Sequence, residues 1–335
     1  MERRRFNRRK AGRIALALGL AFSLGTWVRP PAAEAPRRPL PPGARVLVEA
    51  VPLDDSDPAR RRVGGLTLLQ GWRLSSRDIR FGGISAMHIA DGQVVALSDA
   101  GTVLRFPLPA GPGEIPAAIE RLPRGPGTGR RKGDRDAESL VVHDGRAWIA
   151  FEGRNAIWRY GAEDWSFQSA AAPDAMRDWP SNGGSEAMVR LGDGRFLVFA
   201  EGSGEEATSA ALLFARDPAA PGQVPRQLRY RPPVGYVITD AAVLPDGRLV
   251  FLNRRATLME GFSAILAITE GPPLLRARAV LEGRELARLE APVTTDNMEA
   301  LSVGRESGRT ILWVASDDNL NPLLQDNLLL KFALD

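Results

Sequence analysis

Residues 85–98 read SAMHIADGQVVALS: an apolar run, an Asp-Gly turn, and a second run that is apolar on consecutive positions. The same order returns at 139–151 (SLVVHDGRAWIAF), 187–200 (AMVRLGDGRFLVFA), 241–252 (AAVLPDGRLVFL) and 300–315 (ALSVGRESGRTILWVA). The turn glycines Gly92, Gly145, Gly194, Gly247 and Gly308 recur every 49 to 61 residues. One such hairpin cannot bury its apolar faces alone and must stack on copies of itself, which is the logic of a β-propeller. A third strand follows each pair (TVLRF, AIWRY, ALLF, AILAI, LLLKF). Strands apolar on both faces fit blades sandwiched between neighbouring blades. The expected fold is therefore all-β, a propeller with five visible repeats and five or six blades. A sixth blade has room only in 45–80 or in the long fourth interval. GLTLLQGWRL at 65–74 is expected to supply the outer strand that closes the ring against LLLKF and leaves no free edge. A β-sandwich of similar hairpins is the alternative.

The first 35 residues differ from the rest. Met1 to Arg13 carries seven basic side chains, Ile14 to Leu24 is apolar, and Ala33-Glu34-Ala35 offers an A-x-A cleavage site. This pattern predicts a signal peptide over 1–35, and Arg3-Arg4-Arg5-Phe6 also fits a twin-arginine core. The expected destination is periplasmic or secreted, by the Sec route or the twin-arginine route. The apolar run is short for a span, so membrane contact is expected only through an uncleaved leader. Residues 36–44, PRRPLPPGA, read as a Pro-rich linker, and 45–335 as one domain, expected to be a monomer.

The formal net charge is +4, but residues 1–35 hold eight Lys or Arg against Glu2 and Glu34. Without that surplus of six the remainder sits near −2. The basic character belongs to the leader, and no basic stripe with interleaved aromatics follows it, so nucleic acid is not an expected partner. Cysteine is absent, which excludes disulfides, thiolate zinc sites and a cysteine nucleophile. Two histidines without metal-ligand spacing, and no G-x-S-x-G elbow, argue against a Ser/His/Asp hydrolase.

Acidic and polar residues collect at the strand ends. First strands begin at Ser85, Glu138, Glu186, Asp240 and Glu299; second strands end at Asp99, Glu152, Glu201, Asn253 and Asp317-Asp318-Asn319. In an antiparallel hairpin these two sets lie at the same end, so a ring of blades crowds them around one mouth. Like charges so close raise one another's pKa unless cations neutralise them. Oxygen-only ligands suit a hard cation, Ca²⁺ before Mg²⁺. A solvated acidic rim that satisfies turn N–H groups is the bland alternative. Asp91, Asp144, Asp193 and Asp246 are turn formers at the opposite end.

GGISAM (82–87), DAESLVV (136–142), NGGSEAM (182–188), TDNMEALSV (295–303) and ASDDNLNPLLQDNLLLKF (315–332) resemble the phytase-like family, described as the esterase-like activity of phytase. The resemblance runs from about residue 80 to the C-terminus. It implies an exported propeller acting on phosphate esters with Ca²⁺, and it carries over onto Gly83, Ser85, Glu138, Glu186, Glu299, Asp317, Asp318 and Asn319. The fourth unit departs from the pattern, because Asp240 stands in ITDAAV without a G-x-E context.

Together these readings give an acidic propeller mouth that binds Ca²⁺ and hydrolyses a small phosphorylated or otherwise anionic substrate. Glu138, Glu186, Glu299 and Asp317 are the expected metal ligands, with Asp99 and Glu152 in the same set. Asp318 or Glu201 is the candidate base, and Arg154 or Arg254 the candidate for stabilising transition-state charge. The alternative is a non-catalytic, Ca²⁺-stabilised propeller that binds a small ligand or a protein. Carboxylic-ester hydrolysis is a third reading, disfavoured by the scarcity of histidine.

Overall fold

The computed structural model describes residues 43–335 apart from 130–131, 203–206, 274–275 and 277. The leader and residues 36–42 of the expected linker lie outside the described residues. Ala44 already belongs to a strand, paired with Ala117.

Five blades form a closed ring. Their innermost strands are Ile84–Ala90, Ala137–His143, Ser185–Arg190, Val237–Val243 and Met298–Glu306. Each packs against the next, and the fifth returns to the first. The second strands are Gln93–Ser98, Arg146–Phe151, Phe196–Ala200, Leu249–Thr257 and Arg309–Ser316. The third are Thr102–Pro107, Ala156–Gly161, Ser209–Phe214, Gly261–Ile268 and Asn327–Leu334. The apolar core explains why these strands have no polar face. Five buried clusters lie one between each pair of neighbouring blades, for example Leu197, Phe199 and Tyr230 of the third blade against Leu249 and Phe251 of the fourth.

The outer strand of the fifth blade is Leu66–Ser76, antiparallel to Asn327–Leu334, so the ring closes as the sequence predicts. The segment 45–80 forms no sixth blade. Ala44–Ala50 instead pairs with Leu66–Ser76 on one side and with the first blade's outer strand, Gly113–Arg121, on the other. The first and fifth blades thereby share one ten-stranded sheet. The long fourth interval holds no blade either; its strand Val280–Glu282 joins the edge of the third blade in parallel.

The Asp-Gly turns divide into two kinds. Asp91 (φ 50°) with Gly92 (φ 70°), and Asp144 with Gly145, are left-handed at both residues, the geometry that matches strand twist in a two-residue hairpin. At Asp193 and Asp246 only the glycine is left-handed, and the turn closes one residue wider, from Leu191 to Arg195 and from Leu244 to Arg248.

Candidate functional site

Every inner strand carries a β-bulge at the same place. The register shifts between Ile84 and Ala86, Ala137 and Ser139, Ser185 and Ala187, Ile238 and Asp240, and Met298 and Ala300. A bulge inserts one residue that escapes the pleat and can be re-aimed. The five extra residues are Ser85, Glu138, Glu186, Thr239 and Glu299. Beside each lies the residue that follows the pairing partner of the residue before the bulge: Asp99, Glu152, Glu201, Arg254 and Asp317. The N–H groups of Asp99, Glu152, Glu201 and Asp317 donate to the carbonyls of Gly83, Asp136, Gly184 and Asn297, each two residues before the bulge.

This register corrects the fourth blade. Thr239, not Asp240, occupies the bulge, and Arg254, not Asn253, occupies the outer position. Asp240 is buried beside the mouth, where its carboxylate accepts the N–H groups of Ala241 and Leu301. Asn253 is fully buried and accepts the Tyr230 hydroxyl.

Hydroxyl bulges and carboxylate bulges do different things. Ser85 donates to the Ala137 carbonyl of the next blade, and Thr239 donates to the equivalent Met298 carbonyl. These two side chains stitch blades together. The three glutamates instead face one another. Burial pushes Glu138 well above the usual carboxylate range, reinforced by the charges of Glu186 and Asp136. Burial does the same to Glu186, with Glu201 and Glu152 adding to it, and to Asp317, where Glu299 and Asp99 add.

The mouth has an acidic half and a half that carries its own cation. In the acidic half, oxygens of Asp136, Glu138 and Glu152 lie within 4.8 Å of one another. Ca²⁺–oxygen distances of about 2.3–2.6 Å place two ligands of one ion no more than about 5 Å apart, so this donor set fits a hard cation. Glu152 is fixed in place by the N–H groups of Gly183 and Gly184, which close on its Oε1. A Cβ on Gly184 would sit 2.4 Å from Asn155 Oδ1, so only glycine permits this approach. Across the mouth, Arg254 donates to Glu299 Oε1 at 2.7 Å, to Glu201 Oε1 at 3.0 Å and to Asn297 Oδ1 at 2.6 Å. Asn297 also donates to Glu299 Oε1 at 2.8 Å. Burial alone would lower the guanidinium's pKa, but Glu299 and Glu201 hold it above its ordinary value. Burial likewise raises Glu201, while Arg254 pulls it down.

The structure thus brings Glu138 and Glu152 together with Asp136, sets Glu186 beside them, and joins Glu299 and Glu201 to Arg254. Asp317 and Asp99 face each other at the junction of the fifth and first blades. Asp318 accepts the N–H groups of Gly83 at 2.8 Å and Leu320 at 3.0 Å, which ties those two blades. Burial raises its pKa against these bonds. Arg154 is held by Asp134 at 2.5 Å and is half exposed. Sequence reasoning missed Asp136 and Asn297. Both stand two residues before a bulge glutamate, and that recurrence was their signal.

Residues 79–320 match the family model "Phytase-like: Esterase-like activity of phytase". No curated protein sequence matches the chain. Among solved structures, glutaminyl cyclase of Myxococcus xanthus is similar with 11% identity, covering 81% of this chain and 97% of that one, TM-score 0.47. The Malassezia sympodialis allergen Mala s 1 is similar with 13% identity, covering 82% and 91%, TM-score 0.43. The WD40 β-propeller domain of Doa1 is similar with 13% identity, covering 81% and 98%, TM-score 0.40. The propeller assignment rests on strand pairing and ring closure, not on these likenesses.

Proposed function

The chain belongs to the phytase-like family, and we propose that it is an exported phosphoester hydrolase whose acidic mouth binds Ca²⁺. The observation that carries this reading is the Asp136–Glu138–Glu152 oxygen cluster facing a partly buried, ion-paired arginine across one mouth. Asp136, Glu138 and Glu152 would hold the ion, with Glu186 next to them. A cation there would polarise a phosphoryl oxygen and acidify a bound water. Arg254, already oriented by Glu299, Glu201 and Asn297, donates N–H groups toward charge developing on the phosphoryl oxygens. Of the two candidate bases Glu201 takes the role, because Asp318 Oδ1 is committed to two backbone N–H groups. Glu201 accepts the proton of the attacking water as the ester P–O bond breaks. Arg154, engaged by Asp134, has no part in this step.

The second reading is a Ca²⁺-stabilised binding module, favoured by the structural work that Asp318 and Glu152 already do. Thermal unfolding with Ca²⁺ and with EGTA, followed by phosphate release from aryl phosphates and phytate, separates the two. Ca²⁺ at a hundredfold excess over its dissociation constant should add about 2.7 kcal/mol, and Glu138→Gln should reduce that shift. A shift without phosphate release leaves the module reading. No effect of EGTA removes both.

Export is proposed from the 1–35 leader. Among the described residues no helix is long and apolar enough to cross a membrane.

A further inference from the structure

Six of the nine exposed large apolar side chains among the described residues stand on mouth-side loops. Ile79 precedes the first blade, Leu320 and Leu323 follow the second strand of the fifth, and Val234, Leu258 and Met259 belong to the fourth. The second and third blades, which supply the Asp136–Glu138–Glu152 cluster and Glu186, present none there among the described residues. The loops above the fourth, fifth and first blades are therefore apolar where those above the second and third are not. Six such side chains gathered at one end of the ring, around a polar mouth, are the candidates for contact with a ligand's apolar part.

Two features show that this edge is built rather than frayed. The fourth blade's hairpin keeps pairing past the ring, from Arg254–Ala264 out to Thr257–Gly261, which lifts its Leu258-Met259 tip about 10 Å above Arg254. At the fifth blade, Asn319 (φ 50°) and Leu320 (φ 51°) are consecutive left-handed residues, a conformation unfavourable for a leucine. Their N–H groups are fastened to Asp317 Oδ1 at 2.6 Å and Asp318 Oδ1 at 3.0 Å. The result sets Leu320 over Gly83, with its Cγ 3.4 Å from the position a Cβ would take, beside Asp99. Strained backbone at a site's edge is kept when it aims a side chain. Here it aims an apolar one at the rim of a charged mouth.

We propose that the mouth takes a phosphate monoester of an apolar alcohol: the phosphate sits between Arg254 and the acidic half, and the aryl or alkyl group rests on the lip formed by Leu320, Leu323 and Ile79. This rests on the reading of the mouth as a phosphate site and names its substrate class. A polyhydroxylated alcohol would strand its hydroxyls against that lip without partners.

Phosphonates that cannot be hydrolysed test the lip apart from catalysis. With Ca²⁺ present, calorimetry should find phenylphosphonate bound about tenfold more tightly than methylphosphonate, the worth of one partly buried ring. Leu320→Ser and Leu323→Ser should each bring phenylphosphonate toward the methylphosphonate level; Leu323, largely exposed, can be changed without disturbing the fold. Val224→Ser, at the opposite end, should leave the preference intact. Equal binding of the two phosphonates by the wild-type protein overturns the lip. A preference that the lip variants abolish, without phosphate release from any ester, keeps the lip and sinks the hydrolase. If neither phosphonate binds, both readings fail.

Discussion

The two ends of the same hairpins carry the same residue types with opposite chemistry. At the base, Asp193 is held below the usual range by the Arg195 guanidinium and backbone N–H. Burial nudges Asp246 upward there, but bonds from Arg248 outweigh it and leave it lowered. Both are about half exposed. At the mouth, Glu186 and Asp317 are buried and pushed well above that range. The difference comes from coverage rather than residue type. At the base these two turns project into water, and each aspartate pairs with the arginine two residues on. At the mouth the bulges turn side chains from several blades toward one another, and solvent cannot screen them.

The largest test of this contrast is Arg254→Met. It strands Glu201 and Glu299 beside Glu186 without their counter-charge, and losing one partner of a largely buried pair costs about 3 kcal/mol. Urea unfolding at neutral pH measures it. Wild-type stability in this variant would mean that the mouth is solvated like the base. Arg254→Met with Glu299→Gln should recover part of the loss.

A smaller effect separates the ends by pH. Carboxyls with raised native pKa values keep protons that the unfolded chain releases, so the native state binds more protons. Glu138, Glu186 and Asp317 therefore contribute stability below the ordinary carboxylate range and lose it as pH rises through their native values. Asp296, pushed up to about 6 by burial, adds a loss between about 4 and 6. In chelator, the melting temperature should fall as pH rises above the acidic range, and Glu186→Gln should flatten that slope. A melting temperature that rises over the same range would show the mouth acids to be ionised and neutralised within the protein.

The smallest effect belongs to the base. Asp193→Asn and Asp246→Asn break exposed pairs and should change stability by less than about 0.5 kcal/mol. A larger loss in equilibrium unfolding would make the base turns part of the core.

The hairpin repeat, its closure by residues 65–74 and the crowding of acids at one end were all legible, because apolar periodicity and turn residues are local signals. The fourth blade was not. Matching acid to acid selected Asp240 and Asn253, one residue away from Thr239 and Arg254 on each strand. Register is set by a partner strand, and a bulge moves it by one without changing composition. Asp136 and Asn297 lay inside the motifs but looked like flanking polar residues until the backbone bonds of Glu152 and Asp317 gave them a place. Arg154 and Arg254 were indistinguishable as arginines just past a strand end. Their partners tell them apart: Asp134 engages Arg154, whereas Glu299, Glu201 and Asn297 hold Arg254 at the mouth.

The closing pair has a consequence in time. Among the described strands Leu66–Ser76 is one of the earliest made and Asn327–Leu334 comes after all the others, so one edge waits through the synthesis of four whole blades before its partner exists. Contacts so distant along the chain close slowly, since their entropy is spent before any of them forms. Until then the ring is an open arc with exposed apolar blade faces at both ends. The polypeptide is thus most vulnerable to aggregation before Asn327–Leu334 emerges, and a chaperone that shields Leu66–Ser76 would act on the interval that decides its yield.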